Sequence, residues 1–380
     1  MPRGLPRATA LESLRLAAAF MTHGAPHVVP GRDPLRARPL LADLESRYGG
    51  RPVLVRGPRG PALLVLSKRD VLRVLDEERN AYAPAEERRL NVPTDVLRPA
   101  FIEIAREEAA ELTDGVVDYR RLNARWQRVA RRCVYGDGGA GDEELTSLLA
   151  RLTRAARRRA GRRREILSGR YDTRILDHLR RAEPGSLAGL IAETSRASES
   201  RRLMQAAFWL MGLGVTATGL MQTLALLATH PGHRRTARAE PDHLRACLRE
   251  ALRLWPPVPA LSQVSAVATE WYGTTLPAGT AVLVPLAAHQ RSARLPYANT
   301  FAPEIWLDGT AADEWWARPG CDGVHLTLAV AGAFLGGMVQ MARPKPVGRI
   351  LSPHRPLPYT LDVSRLRVTM RPARRTSVRP

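Results

Sequence analysis

Glu250-Ala-Leu-Arg253, followed directly by Leu254-Trp-Pro-Pro-Val258, is the stretch that decides the fold. Glu250 and Arg253 are three residues apart, so on a helix they share one face and can pair. The neighbours on both sides are apolar, which predicts that the pair is buried. A buried ion pair persists only where its remaining hydrogen bonds are satisfied. The alternative is a surface ion pair that contributes little.

A second motif, Cys321-Asp-Gly323, lies 68 residues after Arg253 and opens an apolar helical pattern. The helix dipole and the free backbone N–H groups at a helix N-terminus stabilise a thiolate. Gly323 would let the backbone turn closely around the sulfur. Taken alone, Cys321 is better explained as a small buried apolar residue; only its place in an ordered set of motifs favours a metal ligand.

The composition is that of a soluble, disulfide-free chain. Its 380 residues are 44% hydrophobic, enough for one large domain or two ordinary ones. No run of 18 or more apolar residues occurs, which predicts no membrane span. The apolar stretch from Leu14 to Met21 is short and lacks a cleavage pattern, so we expect a helix or frayed tail and no signal peptide. Cys133, Cys247 and Cys321 are far apart, which favours a reducing cytoplasm.

The chain is strongly basic, with a formal net charge of +21. The densest arginine run extends from Arg151 to Arg164. Such a run suits an acidic protein or a nucleic acid. No aromatic residues or nucleic-acid motif accompany it, so we interpret it as a solvated helix face and expect no nucleic-acid binding. An acidic redox partner remains an alternative for this surface.

The periodicity predicts a mainly α protein with small β-sheets, helix-rich with a β-rich lobe. A helix is predicted from Pro34 to Tyr48, then a hairpin, then a helix capped by Ser67. The longest helical pattern is Arg201–Thr229, ended by His230-Pro231-Gly232. Further helices are predicted over Arg98–Leu112, Arg120–Cys133, Asp142–Arg159, Asp242–Leu254 and Val324–Met341, and strands between Val258 and Pro285 and over Leu366–Met370. We expect a tail over residues 1–33 and a single domain over residues 34–380.

This ordered set of motifs resembles the cytochrome P450 superfamily over roughly residues 35 to 372. The resemblance is carried by Leu224-Ala-Leu-Leu-Ala-Thr-His-Pro231, Glu250-x-x-Arg253, Leu276-Pro-Ala-Gly279, Phe301-Ala-Pro-Glu-Ile-Trp306 and Cys321-x-Gly323. It implies a P450-like fold and an atypical or degenerate member of the soluble bacterial type. It also implies heme b (iron-protoporphyrin IX), with Cys321 as the axial metal ligand. The other cofactor-binding residues that it implies are Gly323, Arg318, Gln263 and Gly212.

The function implied by the resemblance is that of a heme-thiolate oxidoreductase. The expected reaction is a monooxygenase-like oxidation of a small or medium apolar substrate in secondary metabolism. Electrons would come from a separate ferredoxin or flavoprotein reductase, since the chain has neither a Rossmann glycine fingerprint nor iron–sulfur cysteine spacing. We expect a cytoplasmic monomer with no membrane partner.

The chain departs from the family at the segment expected to supply protons. Members carry an acid next to an alcohol on the central helix, and these relay protons to the iron centre. Here the two positions are Gly214 and Val215, which cannot pass a proton. Thr216 is a nearby hydroxyl, and the three residues together mark the expected catalytic segment. Thr218 is a second nearby hydroxyl outside the aligned pair.

Other departures concern the cofactor's anchors. The usual propionate arginine reads Gln263, which donates a hydrogen bond but brings no charge, and the meander arginine reads Ile305. Asp322 sets a carboxylate beside the thiolate and opposes its ionisation, or else caps the following helix. The loop before Cys321 looks one or two residues short. The stretch from Tyr82 to Leu97 looks too short for the usual capping and heme-contacting helices. Arg88, Arg89 and Arg98 are alternative propionate partners.

Two other hypotheses follow from these departures and from the cysteine. One is a degenerate P450-like protein with weak or no heme binding, which acts as a binding or partner protein. The other is metal or nucleophile chemistry at Cys321 and His325, which are four residues apart. Without a second ligand pair, that spacing is weak for zinc.

Overall fold

The computed structural model describes residues 4–20, 34–57, 60–77, 79–82, 92–157, 161–258, 260–311, 322–348 and 351–372. Helices make up 61% of the structure and the sheets are small, as the sequence predicts. The helices are α1 (Ala10–Phe20), α2 (Pro34–Arg47), α3 (Lys68–Leu72), α4 (Arg79–Tyr82), α5 (Arg98–Ala110), α6 (Tyr119–Tyr135), α7 (Glu143–Arg157), α8 (Gly161–Arg181), α9 (Leu187–Thr194), α10 (Glu199–Thr229), α11 (Pro231–Ala239), α12 (Pro241–Leu254), α13 (Leu286–Gln290) and α14 (Asp322–Met341).

The main hydrophobic core lies where α5, α6, α10 and α14 pack together. Trp126 of α6 and Phe334 of α14 are fully buried there, with ring centroids 5.3 Å apart in an edge-to-face arrangement. Such aromatic pairs stabilise a core beyond their buried area. The second half of α10 is buried on nearly all sides, since residues 219–228 are all buried. This helix therefore runs through the middle of the helical part.

The β-rich lobe contains a four-stranded sheet in the order β1-β2-β7-β4. The predicted hairpin forms β1 and β2, which pair antiparallel, while β2 pairs parallel with β7 and β4 pairs antiparallel with β7. The other sheets have the orders β3-β9-β8 and β5-β6. The strands are β1 (Val53–Gly57), β2 (Gly60–Leu64), β3 (Gly115–Asp118), β4 (Leu261–Val264), β5 (Thr269–Trp271), β6 (Thr274–Leu276), β7 (Ala281–Val284), β8 (Ala342–Pro346) and β9 (Arg367–Pro372).

The described part of the N-terminal segment is docked on this lobe. Arg7 bridges to Leu54 of β1, and Leu16 of α1 is fully buried in the cluster under the hairpin. Residues 4–20 are thus packed against the sheet because α1 has an apolar side to bury. The domain boundary at residue 34 stays a prediction.

Most of the predicted helices are present, and Ser67 caps α3 by accepting a hydrogen bond from the Asp70 N–H. Helix α8 is not evident from the sequence pattern, because the arginine run obscures the buried Leu167, Tyr171 and Ile175. The described arginines of that run at the start of α8, residues 162–164, are exposed, in agreement with a solvated face. Helix α11 was not predicted either, since Pro231 both follows the end of α10 and begins a new helix.

Two helices, α10 and α14, are long and apolar enough to cross a membrane by length and composition alone. The most apolar window is 78% buried inside the protein in α10 and 56% buried in α14. Core helices pass the same test, so this is weak evidence for a membrane span.

The close approach of α10 and α12 depends on Gly219. A Cβ at this position would lie 2.5 Å from Leu252 Cδ2. We expect Gly219→Ala to lower the free energy of unfolding by about 1–3 kcal/mol, because the added methyl group overpacks the contact. Gly169→Ala on α8 is the matched control, since its Cβ would meet nothing within 4 Å. It should stabilise by up to about 1 kcal/mol. Equal effects in denaturant unfolding would contradict this account.

Candidate functional site

Glu250 and Arg253 form a fully buried ion pair near the end of α12. Arg253 Nε donates to Glu250 Oε2 at 2.8 Å, and Nη2 donates to Oε1 at 2.7 Å, with both side chains 0% exposed. The guanidinium also donates to the backbone carbonyls of Gln290 (2.7 Å), Tyr297 (2.9 Å) and Thr300 (3.3 Å). The pair therefore ties α12 to the segment that follows α13.

The Glu250 carboxylate has two further donors, and neither is charged. The Ala302 N–H donates to Oε1 at 3.1 Å, and Trp306 Nε1 donates to Oε2 at 3.0 Å. Ile305, at the position where the resemblance implies an arginine, is a buried core residue. Trp306 thus supplies the third side-chain contact of this carboxylate. This role of Trp306 was not predicted from the sequence, although its indole N–H, one residue beyond Ile305, was the available signal.

Arg291 is a second buried arginine that the sequence analysis did not single out. It is 2% exposed and packs over the Tyr359 ring. Burial lowers the pKa of its guanidinium to about 10. It connects α12 and the segment after α13 to the C-terminal segment. Its acceptors are Asn299 Oδ1 and the backbone carbonyls of Ala298, Leu254, Leu357, Pro358 and Tyr359.

The middle of α10 carries a partly exposed stripe, although most of the helix is buried. We call this stripe the open face of α10. A Cβ at Gly212 would meet nothing within 4 Å, so there is room beside the helix at this level. The stripe carries no charged side chain. It consists of Phe208, Met211, Gly212, Val215 and Thr218.

The predicted catalytic segment is divided between different sides of α10. Val215 lies on the open face, whereas Gly214 and Thr216 are buried and point about 100° to either side of it. Thr216 Oγ1 donates to the Gly212 carbonyl at 3.1 Å, so its hydroxyl bonds to its own helix. Thr218 supplies the hydroxyl on the open face, a residue that the sequence analysis had set aside.

Two of the buried carboxamide oxygens that have no hydrogen-bond partner in the described structure belong to Gln263 and Gln222. Gln263 belongs to β4, where it pairs with Val282 of β7, and its Oε1 atom has no partner among the described residues. Gln222 Oε1 lies on α10, seven residues beyond Val215, on a residue that is 2% exposed. Seven residues are almost two turns, so Gln222 points to nearly the same side as Val215. Buried acceptors of this kind indicate a ligand or an ordered water.

Several predicted site residues lie outside the described part of the chain. Cys321 and Arg318 are among them, as are Arg88 and Arg89. Gly323 is partly buried in the first turn of α14, the helix that begins at Asp322, directly after Cys321. Their roles as ligand and anchors therefore stay predictions.

The other two cysteines are poor candidates for a metal ligand. Cys133 and Cys247 are free and fully buried. Desolvation by burial raises the pKa of both thiols well above the ordinary value. A thiol that stays protonated is neither a nucleophile nor a good metal ligand. In the described residues no group of three or more His, Cys, Asp or Glu side chains is arranged to hold a metal ion.

Arg98, the described alternative propionate partner, opens α5 with a side chain that is 45% exposed. Its nearest acid is Asp95, at 3.9 Å. It is available to an anion, but the structure does not single it out from other exposed arginines.

The hydrogen bond from Trp306 to buried Glu250 can be tested by Trp306→Phe. Since this change removes a donor to a buried carboxylate, we expect a loss of about 1–3 kcal/mol in the free energy of unfolding. Trp209→Phe is the matched control, because the Trp209 indole N–H is buried and has no partner in the described structure. Denaturant unfolding should show a clearly smaller loss for Trp209→Phe. The same loss in both variants would mean that the Trp306 hydrogen bond contributes nothing.

Comparison with known proteins agrees with this geometry. The Cytochrome P450 family model matches residues 190–315, which include the open face of α10 and the ion pair. Cyclooctat-9-en-7-ol 5-monooxygenase of Streptomyces melanosporofaciens is 32% identical over 124 residues, covering 28% of this chain and 27% of that protein. Cyclooctatin synthase of the same organism is 28% identical over 196 residues, covering 44% and 42%. Human Cytochrome P450 4A22 is 32% identical over 124 residues, covering 27% and 24%.

These matches span less than half the length of each curated relative. The fold agrees over a longer range. A zebrafish cytochrome P450 structure with abiraterone superposes with a TM-score of 0.68 at 21% identity, covering 88% of this chain and 98% of that one. The long central helix, the buried Glu-x-x-Arg pair and the β-rich lobe occur in the order that the sequence predicts. Residues 190–315 are therefore similar in sequence to cytochrome P450 proteins, and the fold of the chain is similar to that of a cytochrome P450 structure.

Proposed function

We propose that this protein is a heme-thiolate oxidoreductase that oxidises a small or medium apolar substrate. The observation that carries the proposal is the open face of α10, an uncharged and mostly apolar stripe in the middle of a core helix. An apolar stripe at this position is costly unless something apolar covers it. The similarity to cytochrome P450 proteins supports heme as the covering group.

The described residues fit a flat apolar macrocycle. Gly212 leaves space beside α10, and Met211 and Val215 give apolar contact on the same face. The unpartnered Oε1 atoms of Gln222 and Gln263 can each accept a hydrogen bond from water or a protonated carboxyl group. The proposed metal ligand is Cys321, with Gly323 and Arg318 in the loop around it. The bound heme would supply the iron centre at which an oxidant is activated.

The chain's own residues determine which substrates can approach. Phe208, Met211 and Val215 form an apolar wall, so binding there removes apolar surface from water. A charged substrate would be buried without a partner on this face, which is unfavourable. One Streptomyces relative is named as a monooxygenase, which supports monooxygenation as the reaction. We propose that the reaction belongs to secondary metabolism.

The open face of α10 has no side chain that could act as a general acid. The open face has no carboxylate, and its hydroxyl belongs to Thr218. Neutral side chains can orient water but cannot change its acidity as a general acid does. We therefore propose that protons reach this face through water or through hydroxyl groups of the substrate.

A groove over α14 suits an acidic electron donor. It has a volume of about 400 Å³ and is lined by Arg98 and Arg106 of α5 on one side and by Arg245 and Arg249 of α12 on the other. His325, in the first turns of α14, also lines it. Complementary charge speeds the encounter of redox proteins. We propose that a ferredoxin or flavoprotein binds here, and that the protein works as a cytoplasmic monomer.

The second candidate is a heme-free binding protein with the same fold. It is favoured by Gln263, which replaces a cation with a neutral amide whose oxygen has no partner. Binding of an apolar compound at the open face would then be the whole function. The cofactor content of the purified protein separates the two candidates.

Ligation by Cys321 is tested with Cys321→Ala. We expect the purified protein to contain heme and to give the carbon monoxide difference band of a thiolate-ligated iron after reduction. Cys321→Ala should lose that band, since the sulfur is the proposed ligand. Cys247→Ala, at a buried cysteine with a raised thiol pKa, should keep it. A wild-type protein without heme would favour the second candidate.

The electron-donor groove is tested by reversing a charge. Arg245→Glu should slow reduction by a ferredoxin about tenfold or more at low salt, and less at high salt, because the steering is electrostatic. Arg163→Glu on exposed α8 makes the same change in net charge away from the groove residues. An equal slowing in the two variants would show that only net charge matters and that the groove is not the docking surface.

A further inference from the structure

Three successive carbonyls of α10 each receive a side-chain donor. Gly212 O accepts from Thr216 of the same helix at 3.1 Å. Leu213 O accepts from Trp126 Nε1 at 2.6 Å, and Gly214 O accepts from Gln127 Nε2 at 3.3 Å. Side chains that bond to helix carbonyls loosen or bend the backbone ladder at that point. The affected turn is the one that presents Gly212 and Val215 on the open face.

Gln127 fits closely against Gly214. A Cβ at Gly214 would lie 3.2 Å from Gln127 Nε2 and 3.3 Å from Oε1, so the carboxamide stands where a side chain at 214 would begin. Nε2 also donates to Asn123 Oδ1 at 3.2 Å, which fixes the orientation of the amide. Oε1 is buried and has no partner in the described structure. Glycine at 214 and glutamine at 127 therefore match each other in shape and in hydrogen bonding.

Helix α6 also contacts the other helix of the site. Trp126, the neighbour of Gln127, packs edge-on against Phe334 of α14 while it donates to α10. One turn of α6 thus touches the helix with the open face and the helix that follows Cys321. The position of Gln127 is fixed by this packing.

We propose that Gln127 is a positioning residue for the open face of α10. Its amide N–H holds the Gly214 carbonyl and so sets the backbone that carries Gly212 and Val215. The proposal rests on the proposed function, in which heme and substrate lie against this face. Under this proposal, a residue of α6 determines the backbone position of α10 at the site. At the two aligned positions, Gly214 and Val215, α10 itself carries neither an acid nor an alcohol.

The test uses two substitutions of similar size, Gln127→Leu and Gln127→Glu, in the full chain. A glutamate side chain can donate to Gly214 O only when it is protonated, and its ordinary pKa of about 4.3 rises on burial. Gln127→Glu should therefore behave like the wild type at low pH and like Gln127→Leu at higher pH. A role in packing alone would show no such pH dependence.

The first readout is hydrogen exchange of the backbone amides of residues 214–218, corrected for intrinsic rates. We expect about three- to tenfold faster exchange in Gln127→Leu at every pH, and in Gln127→Glu only above the pKa of the new carboxyl group. The second readout is the spin state and imidazole affinity of the ferric heme, which should show the same pH step. Gln340→Glu at the exposed end of α14 is the matched control and should show no step.

Two results would overturn the proposal: wild-type exchange in both variants, or equal acceleration in both at every pH. Loss of the proposed function is distinguishable from either. If the protein holds no heme, the spectral readout disappears while the exchange readout still reports on the Gln127 contact.

Discussion

The buried Glu250–Arg253 pair is the interaction on which the rest of the structure depends. Removing two charges from water costs several kcal/mol per ion, and the pair persists only because its other hydrogen-bonding groups are satisfied. The backbone of residues 290–302 and the indole of Trp306 supply those partners. The charge pair therefore dictates the path of the chain from α13 to the turn at Trp306, and the chain in turn keeps the pair dry.

Few cationic side chains are buried in the described interior, although the chain as a whole has a formal net charge of +21. Trp306 makes the contact to Glu250 for which the resemblance implies an arginine at position 305, and Gln263 stands where it implies another. Arg291 is already buried near Arg253, and burial lowers the pKa of its guanidinium to about 10. A further buried cation at 305 would add desolvation cost beside these two. The excess positive charge lies instead on surfaces such as α8 and the groove over α14, where it is solvated.

The two sides of α10 differ in polarity and in packing. Its open face is apolar and offers space, while the turn from Gly212 to Gly214 is held by hydrogen bonds, two of them from α6. Gly214 is not an eroded acid position, because Gln127 fills the space that a side chain there would need. Glycine at position 214 is thus part of a defined packing arrangement with Gln127. Because this position has no acid, we propose that water or the substrate delivers the protons.

The sequence by itself determined the fold class, the order of the helices and the location of the ion pair, because these follow from local periodicity, helix stops and spacing. It also placed Gly212 and Val215 on the same long predicted helix. Only the tertiary structure showed which side of α10 is open, joined Trp306 to Glu250 across 56 residues, and brought Gln127 to Gly214 across 87. These contacts depend on how helices pack, and no local pattern specifies a partner that distant. The tertiary structure therefore decided which side chains make the site.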